Sequence, residues 1–156
     1  NDWLSGGDGD DMITVNQGIA GNWSAVWGDA GNDVIYGQPN TSGGIMDGTG
    51  ALGLNGGDGN DIISFGPGTT YITGGAGADT ITASMFAMSK PGSFAQMFDF
   101  EVGVDKIKGL SQAQILDWGP NTGITMSDAS GNSATLMLMG VTASELDATR
   151  DFILGG

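Results

Sequence analysis

The stretch Gly56-Gly57-Asp58-Gly59-Asn60-Asp61-Ile62-Ile63-Ser64 decides the fold. Its first six residues hold three glycines and end on a carboxylate. Glycine takes positive φ without a Cβ clash, so this half turns sharply. The last three residues read as a short strand with one aliphatic side chain pointing inward. The nine-residue pattern G-G-x-G-x-D-x-U-x, with U a large aliphatic, returns at Gly6 to Thr14, Gly28 to Tyr36 and Gly74 to Thr82. Only Asp29 departs from it, standing where the second glycine belongs. A fixed period of this kind is the signature of a stacked repeat architecture.

Degenerate copies lie between the full ones. Asp47 to Asn55 keeps Gly48, Gly50 and Leu54 but has Leu52 in place of the aspartate. Phe65 to Thr73 keeps Gly66, Gly68 and Ile72 but has Thr70 there. Asn1-Asp2-Trp3-Leu4-Ser5 fits the second half of a further copy, as expected of a roll cut mid-repeat at its N-terminus. Turn plus strand makes half a coil, so residues eighteen apart should stack. The expected inward column is Leu4, Ile13, Val26, Ile35, Leu54, Ile63, Ile72 and Ile81. One such side chain per half coil is a thin core, too thin to offset chain entropy alone.

A hard cation would supply the missing stabilisation. Backbone carbonyls of stacked turns, joined by the sixth-position aspartates, offer the oxygen-only donors that calcium takes. Asp61 and Asp79 are eighteen apart; Asp11 and Asp33 are twenty-two apart, and Asp33 and Asp61 twenty-eight. With both insertions on the opposite edge, all four full motifs stack and three inter-coil sites follow: Asp11/Asp33, Asp33/Asp61 and Asp61/Asp79. An alternative parsing counts 37–46 and 47–55 as separate half coils, which moves 56–82 to the other edge and removes the middle site. Asp8, Asp10, Asp29 and Asp58 sit at other motif positions and are expected to be solvated, adding field rather than bonds.

Composition narrows the chemistry. The 156 residues hold 16 Asp and 2 Glu against 4 Lys and Arg, for a net charge of −14. Ten of the aspartates fall in the first 89 residues, where there is no Lys, Arg or Glu. Absent cysteine and histidine exclude a disulfide scaffold, a thiol nucleophile, a Ser-His-Asp triad and a His-ligated zinc. Such acidity argues against nucleic acid as a partner. No apolar run reaches the ~20 residues of a membrane span. No catalytic set is found, so the chain is expected to be non-enzymatic, with any activity lying in a part N-terminal to it.

The repeats are similar to the RTX (repeats-in-toxin) nonapeptide, and the resemblance continues past them. Phe98-Asp99-Phe100-Glu101-Val102-Gly103-Val104-Asp105-Lys106-Ile107 resembles the D-F-x-x-G-x-D-K-I segment after the roll in serralysin-type proteases, lipases and mannuronan epimerase R-modules. Met137-Leu138-Met139-Gly140-Val141 through Asp151-Phe152-Ile153-Leu154 resembles their closing stretch. The resemblance implies an all-β, right-handed parallel β-roll (β-helix) of nonapeptide repeats, capped by a small C-terminal β-rich segment with one short helix. It implies Ca²⁺ ligation at Asp11, Asp33, Asp61 and Asp79. The matching turn glycines are Gly6, Gly9, Gly28, Gly31, Gly56, Gly59, Gly74 and Gly77. It further implies folding on Ca²⁺ outside a Gram-negative cell and export by type I secretion machinery that reads the C-terminus. The alternative role it implies is binding of alginate, surface glycans or peptides for an attached enzyme or adhesin.

Two regions are expected: a calcium-binding roll over 1–83, and a cap with the secretion-signal region over 84–156. Within the second, β-rich segments recur at 94–100, 104–108, 123–127 and 134–140. The poor alternation of Thr135 to Met139 predicts a strand buried on both faces. Thr142-Ala143-Ser144-Glu145 fits a capping box opening a helix to about Thr149. Asp151 to Leu154 reads both as a closing strand and as the acidic-then-apolar end of an uncleaved export signal. Asp99 and Asp105 could join a further cation site at the cap, but Asp105 pairing with Lys106 or capping a turn is favoured over it. Trp23 and Trp27 could pack an irregular loop or stack on a sugar.

Overall fold

The computed structural model describes residues 3–16, 23–38, 51–84, 87, 92–110, 112–127 and 130–154. Each full motif splits between two strands. β1 (Trp3–Asp8), β3 (Trp23–Ala30), β5 (Ala51–Asp58) and β7 (Thr69–Ala76) run through the first three motif residues. β2 (Met12–Asn16), β4 (Val34–Gln38), β6 (Ile62–Phe65) and β8 (Thr80–Ala83) follow the turn. The odd strands pair in parallel in one sheet and the even strands in another. The chain thus alternates between two sheets, which is a parallel roll.

The register settles the parsing. Gly7 pairs with Asp29, Asp29 with Gly57, and Gly57 with Gly75. Ile13, Ile35, Ile63 and Ile81 pair in succession on the other sheet. All four full motifs therefore stack on a single edge, and the parsing that moved 56–82 across is excluded. The two insertions join β2 to β3 and β4 to β5; most of their residues lie outside the described ones.

The core lies between the sheets. Val26, Leu54 and Ile72 form one inward column, and Ile13, Ile35, Ile63 and Ile81 face it, all buried. The odd strands are longer than x-U-x, so β5 alternates two inward aliphatics, Leu52 and Leu54. Leu52 and Thr70 are in register and buried. They stand inside a strand, which is why that half of the degenerate copies has no turn carboxylate. Leu4 departs from expectation: it is in register with Val26 but exposed, because β1 is the edge strand of its sheet.

The sheets continue past residue 83. β9 (Phe94–Met97) adds in parallel to β7, and β10 (Lys106–Leu110) to β8. β13 (Ser133–Leu138) pairs in parallel with β9, and β12 (Thr122–Ser127) and β11 (Gln112–Asp117) extend that sheet as an antiparallel meander. β14 (Phe152–Leu154) closes the second sheet beside β10. The last coil of the roll is thereby covered on both sheets, as a solenoid end requires.

Three sequence expectations change here. β11 had no counterpart among the expected segments. β13 is buried on one face only: Ala134, Leu136 and Leu138 point into the core while Thr135 and Met137 face outward. Sulfur-bearing Met137 reads as apolar in sequence but sits half-exposed on the sheet's outer face. The capping box at Thr142 forms, with the Thr142 N–H donating to Glu145 Oε2 at 2.8 Å, yet it opens only a 3-10 turn, Ala143–Glu145. Leu146 is already extended, and the next turn is closed instead by Asp147 accepting from Arg150 and Asp151.

Candidate metal centre in the stacked turns

The turn is built around its glycines. A Cβ placed on Gly6 would lie 2.6 Å from Asp11 Oδ2 and 2.8 Å from the Gly28 carbonyl oxygen. On Gly28 it would run into Asp33 Oδ2 and the Gly56 carbonyl, and on Gly56 into Asp61 Oδ2 and the Gly74 carbonyl. The space left by each first glycine is therefore where an aspartate oxygen and the next coil's carbonyl converge. At Gly74 the pattern ends: Asp79 Oδ2 is there, but the third neighbour is the Met97 methyl. The fourth-position glycines stack as tightly. Gly31, Gly59 and Gly77 take φ of 146°, 139° and 134°, and a Cβ on each would strike the backbone carbonyl of the glycine one coil before.

The four aspartates form a ladder. Asp33 Oδ1 accepts the Asp11 N–H at 2.8 Å, Asp61 Oδ1 the Asp33 N–H at 2.7 Å, and Asp79 Oδ1 the Asp61 N–H at 2.9 Å. The second oxygen is different. Oδ2 of Asp11, Asp33, Asp61 and Asp79 is buried without a hydrogen-bond partner. Buried carboxylate oxygens without a donor are costly and call for a cation or a proton. Charge follows burial: desolvation pushes the Asp61 carboxyl up, and it pushes Asp79 up to about 6, against the lowering effect of the N–H that each accepts.

The donors available are all oxygen, as calcium prefers. Among the described residues no three carboxylates come together. A cation here would have to be held by single carboxylate oxygens and backbone carbonyls, a donor set that suits a hard ion. The sequence-expected aspartates and first-position glycines are brought together; the fourth-position glycines serve the turn's close stacking.

Further residues join the ladder beyond the repeats. Asp105 Oδ1 accepts the Asp79 N–H at 3.0 Å, and its Oδ2 accepts the Glu101 N–H at 2.8 Å. Asp99 caps the last turn, taking the Gly74 and Gly75 N–H groups at 3.0 and 2.9 Å. Turn capping is thus what both do. Asp151 ends the series: Oδ1 accepts the Gly103 N–H at 3.0 Å and Oδ2 the Asp147 N–H at 2.7 Å. The Arg150 guanidinium grips both oxygens, at 2.9 and 2.8 Å, and holds the Asp151 carboxyl down to about 2. Asp105 was legible in sequence, since Asp105-Lys106-Ile107 repeats the D-x-U phase of Asp79-Thr80-Ile81. Asp151 precedes its core residue directly and breaks that phase.

A second ladder runs at the fifth motif position. Asp10 Oδ1 accepts the Asn32 N–H at 2.8 Å, Asn32 Oδ1 the Asn60 N–H at 2.9 Å, and Asn60 Oδ1 the Ala78 N–H at 2.7 Å. Asp29, at φ 76°, accepts from the Ser5 hydroxyl. Asp10 and Asp29 are therefore exposed but bonded, contrary to the sequence expectation. A short side chain that reaches neighbouring coils at 4.8 Å spacing bonds even in water.

This geometry defines a parallel β-roll whose stacked turns are lined by carboxylate and carbonyl oxygens. Residues 1–19, 25–39, 54–72 and 66–84 match the RTX calcium-binding nonapeptide repeat in four copies. The matched stretches are accordingly RTX repeats. No curated protein matches it. Among solved structures it is similar to the AlgE6R3 subunit of the Azotobacter vinelandii mannuronan C5-epimerase, at 24% identity and TM-score 0.41, covering 94% of this chain and 78% of that one. The AlgE6R2 subunit of the same epimerase gives 22% identity and TM-score 0.40, covering 99% and 92%. No helix among the described residues is long and apolar enough to cross a membrane.

Proposed function

We propose that Asp11, Asp33, Asp61 and Asp79, with the carbonyls of their turn glycines, hold Ca²⁺ between successive coils, and that the roll folds when they do. The observation that carries this is the row of buried Oδ2 atoms without a partner, three of them converging with a glycine carbonyl of the next coil. Calcium supplies the positive charge that those carboxylates otherwise lack. Binding and folding are then one event, because the ligand set exists only in the stacked coil. The division near residue 83 becomes functional: 1–83 is the calcium-dependent roll, and 84–156 its cap and the segment that export machinery reads. Low cytosolic calcium keeps the acidic chain open for type I secretion, and millimolar calcium outside closes it. The module itself is non-catalytic and serves the folding and stability of a larger secreted protein. A calcium titration followed by circular dichroism tests this. Asp61→Ala is expected to raise the calcium needed for folding, and Asp8→Ala to leave it unchanged; equal effects would overturn the ligand assignment.

A second role, glycan binding, has one observation in its favour. The outer face of the eight-stranded sheet exposes Trp3 and Trp23, with ring centroids 6.2 Å apart, and a stacked Tyr71–Phe98 pair at 6.1 Å. Such rings suit pyranose faces. Calorimetry with calcium present, against neutral oligosaccharides and oligo-uronates, tests it; no heat with either leaves folding as the sole role.

A further inference from the structure

We infer that Arg150 is a cation built into the chain, which closes the last rung of the carboxylate ladder without calcium and fixes the end from which the roll is templated. The inference rests on the calcium-ligand reading above. Every coil from Asp33 onward offers a carboxylate oxygen to an N–H of the coil before it: Asp33 to Asp11, Asp61 to Asp33, Asp79 to Asp61, Asp105 to Asp79, and Asp151 to Gly103. What differs is the second oxygen. In the repeats it is buried with no partner, at Asp105 it takes the Glu101 N–H, and at Asp151 it takes the Asp147 N–H and the Arg150 guanidinium.

The Arg150 site has the features a bound cation would need. Asp151 is fully buried while the Arg150 side chain is half-exposed, so the guanidinium reaches in from solvent. Its planar fork meets both carboxylate oxygens, which a point charge could not do with the same fixity. Its Nη2 also donates to the Glu145 carbonyl at 2.6 Å, joining the 3-10 turn to the ladder. Gly103 takes φ 86° beside the Arg150 side chain, a left-handed conformation that suits glycine and turns its N–H towards Asp151. Removing the guanidinium would strand a buried charge, which costs far more than losing a surface pair. The chain therefore carries one rung that is neutralised in low calcium. That rung holds β14 against β10, and β10 is the template on which β8 pairs.

Amide hydrogen exchange on the whole chain, with and without calcium, tests this. In the wild type without calcium, the Gly103 and Asp147 amides are expected to be protected and those of Asp11, Asp33 and Asp61 not. Calcium should protect all five. Arg150→Gln removes both guanidinium hydrogen bonds to Asp151 and is expected to lower calcium-free protection at Gly103 and Asp147 by about tenfold or more, the worth of at least one charged hydrogen bond. It should also raise the calcium concentration that protects the other three. Arg150→Lys, which keeps the charge, should recover part of both and decides the matter if the Gln chain stays open at every calcium level. Unchanged protection and midpoint in Arg150→Gln, or no recovery in Arg150→Lys, would overturn the inference. Wild-type protection of all five amides without calcium would overturn the ligand reading and this one together.

Discussion

A single carboxylate oxygen distinguishes the rungs: in the repeats it is buried without a partner, and at Asp151 it is held by Arg150. Asp79 carries the clearest consequence. Its pKa is raised to about 6 in the fold, so the fold binds that proton more tightly than the open chain does. Its stabilising contribution is complete below the ordinary carboxyl value of 3.8 and is lost as pH rises through about 6. The calcium-free roll is therefore expected to gain stability when taken from pH 7 to pH 4.5. Calcium competes with the same proton, so the calcium midpoint should rise as pH falls below about 6. Titrations at pH 7.5, 6 and 5 check this, and Asp79→Asn should flatten the profile. Asp151 behaves oppositely: depressed to about 2, it stabilises above 3.8 and is lost as pH falls towards 2, so strong acid should weaken the cap while the Asp79 contribution to the calcium-free roll persists. Thr70 is a different residue-scale case. Its hydroxyl is buried without a partner in the core. Thr70→Val is expected to leave stability unchanged or raise it by about 1 kcal/mol, read as a shift in the unfolding midpoint with calcium present.

At the scale of an element, the turn tolerates less than the strand. Gly59 sits at φ 139° with the Gly31 carbonyl where a side chain would begin. Gly59→Ala is expected to cost at least about 1–3 kcal/mol from the backbone conformation, and to weaken calcium-induced folding as well. Ile63→Ala, inside β6 and two residues past Asp61, should cost about 2–5 kcal/mol while leaving the ligands in place. Denaturant unfolding at saturating calcium separates the two: the Ile63 variant should fold with a lower midpoint, and the Gly59 variant should also shift the calcium titration. The strands of the roll were legible because U recurs in a fixed phase with glycine and aspartate. β11 and the one-sided burial of β13 were not, since neither carries a repeat and each depends on which sheet it joins. The capping box at Thr142 was legible as a start, but the helix it announced stops after one 3-10 turn. Asp147, Arg150 and Asp151 close their own turn there in place of a second helical one.

For the whole molecule, charge and calcium are one subject. The formal charge of −14 belongs to the chain without metal. Three Ca²⁺ bound at the proposed sites would add six positive charges and bring −14 to about −8, with the relief falling on the roll, which has no Lys or Arg before residue 90. Chelation of calcium is expected to abolish the β signal of the roll, and equimolar Mg²⁺ not to restore it, because Mg²⁺ gives up its water reluctantly and demands a tighter octahedron. Far-UV circular dichroism through a chelator titration, followed by re-addition of each metal, reads the result directly. Retention of full signal after chelation would overturn calcium-coupled folding.

Sequence alone determined the repeat, its two-sheet coil, the inward aliphatics and the aspartates that face one another across coils. Those follow from local rules: glycine where the backbone must turn, an aliphatic where a strand meets the core, and a period that stacks like on like. Tertiary structure decided the rest. It put all four motifs on one edge, because strand register and not sequence spacing fixes where insertions fall. It gave Asp10 and Asp29 partners, because a coil brings residues about twenty apart to within hydrogen-bond reach. It also distinguished the rungs. Asp11, Asp33, Asp61 and Asp79 share a motif position that sequence reads directly, but only packing strips one oxygen of its donors in the repeats and supplies Arg150 at Asp151.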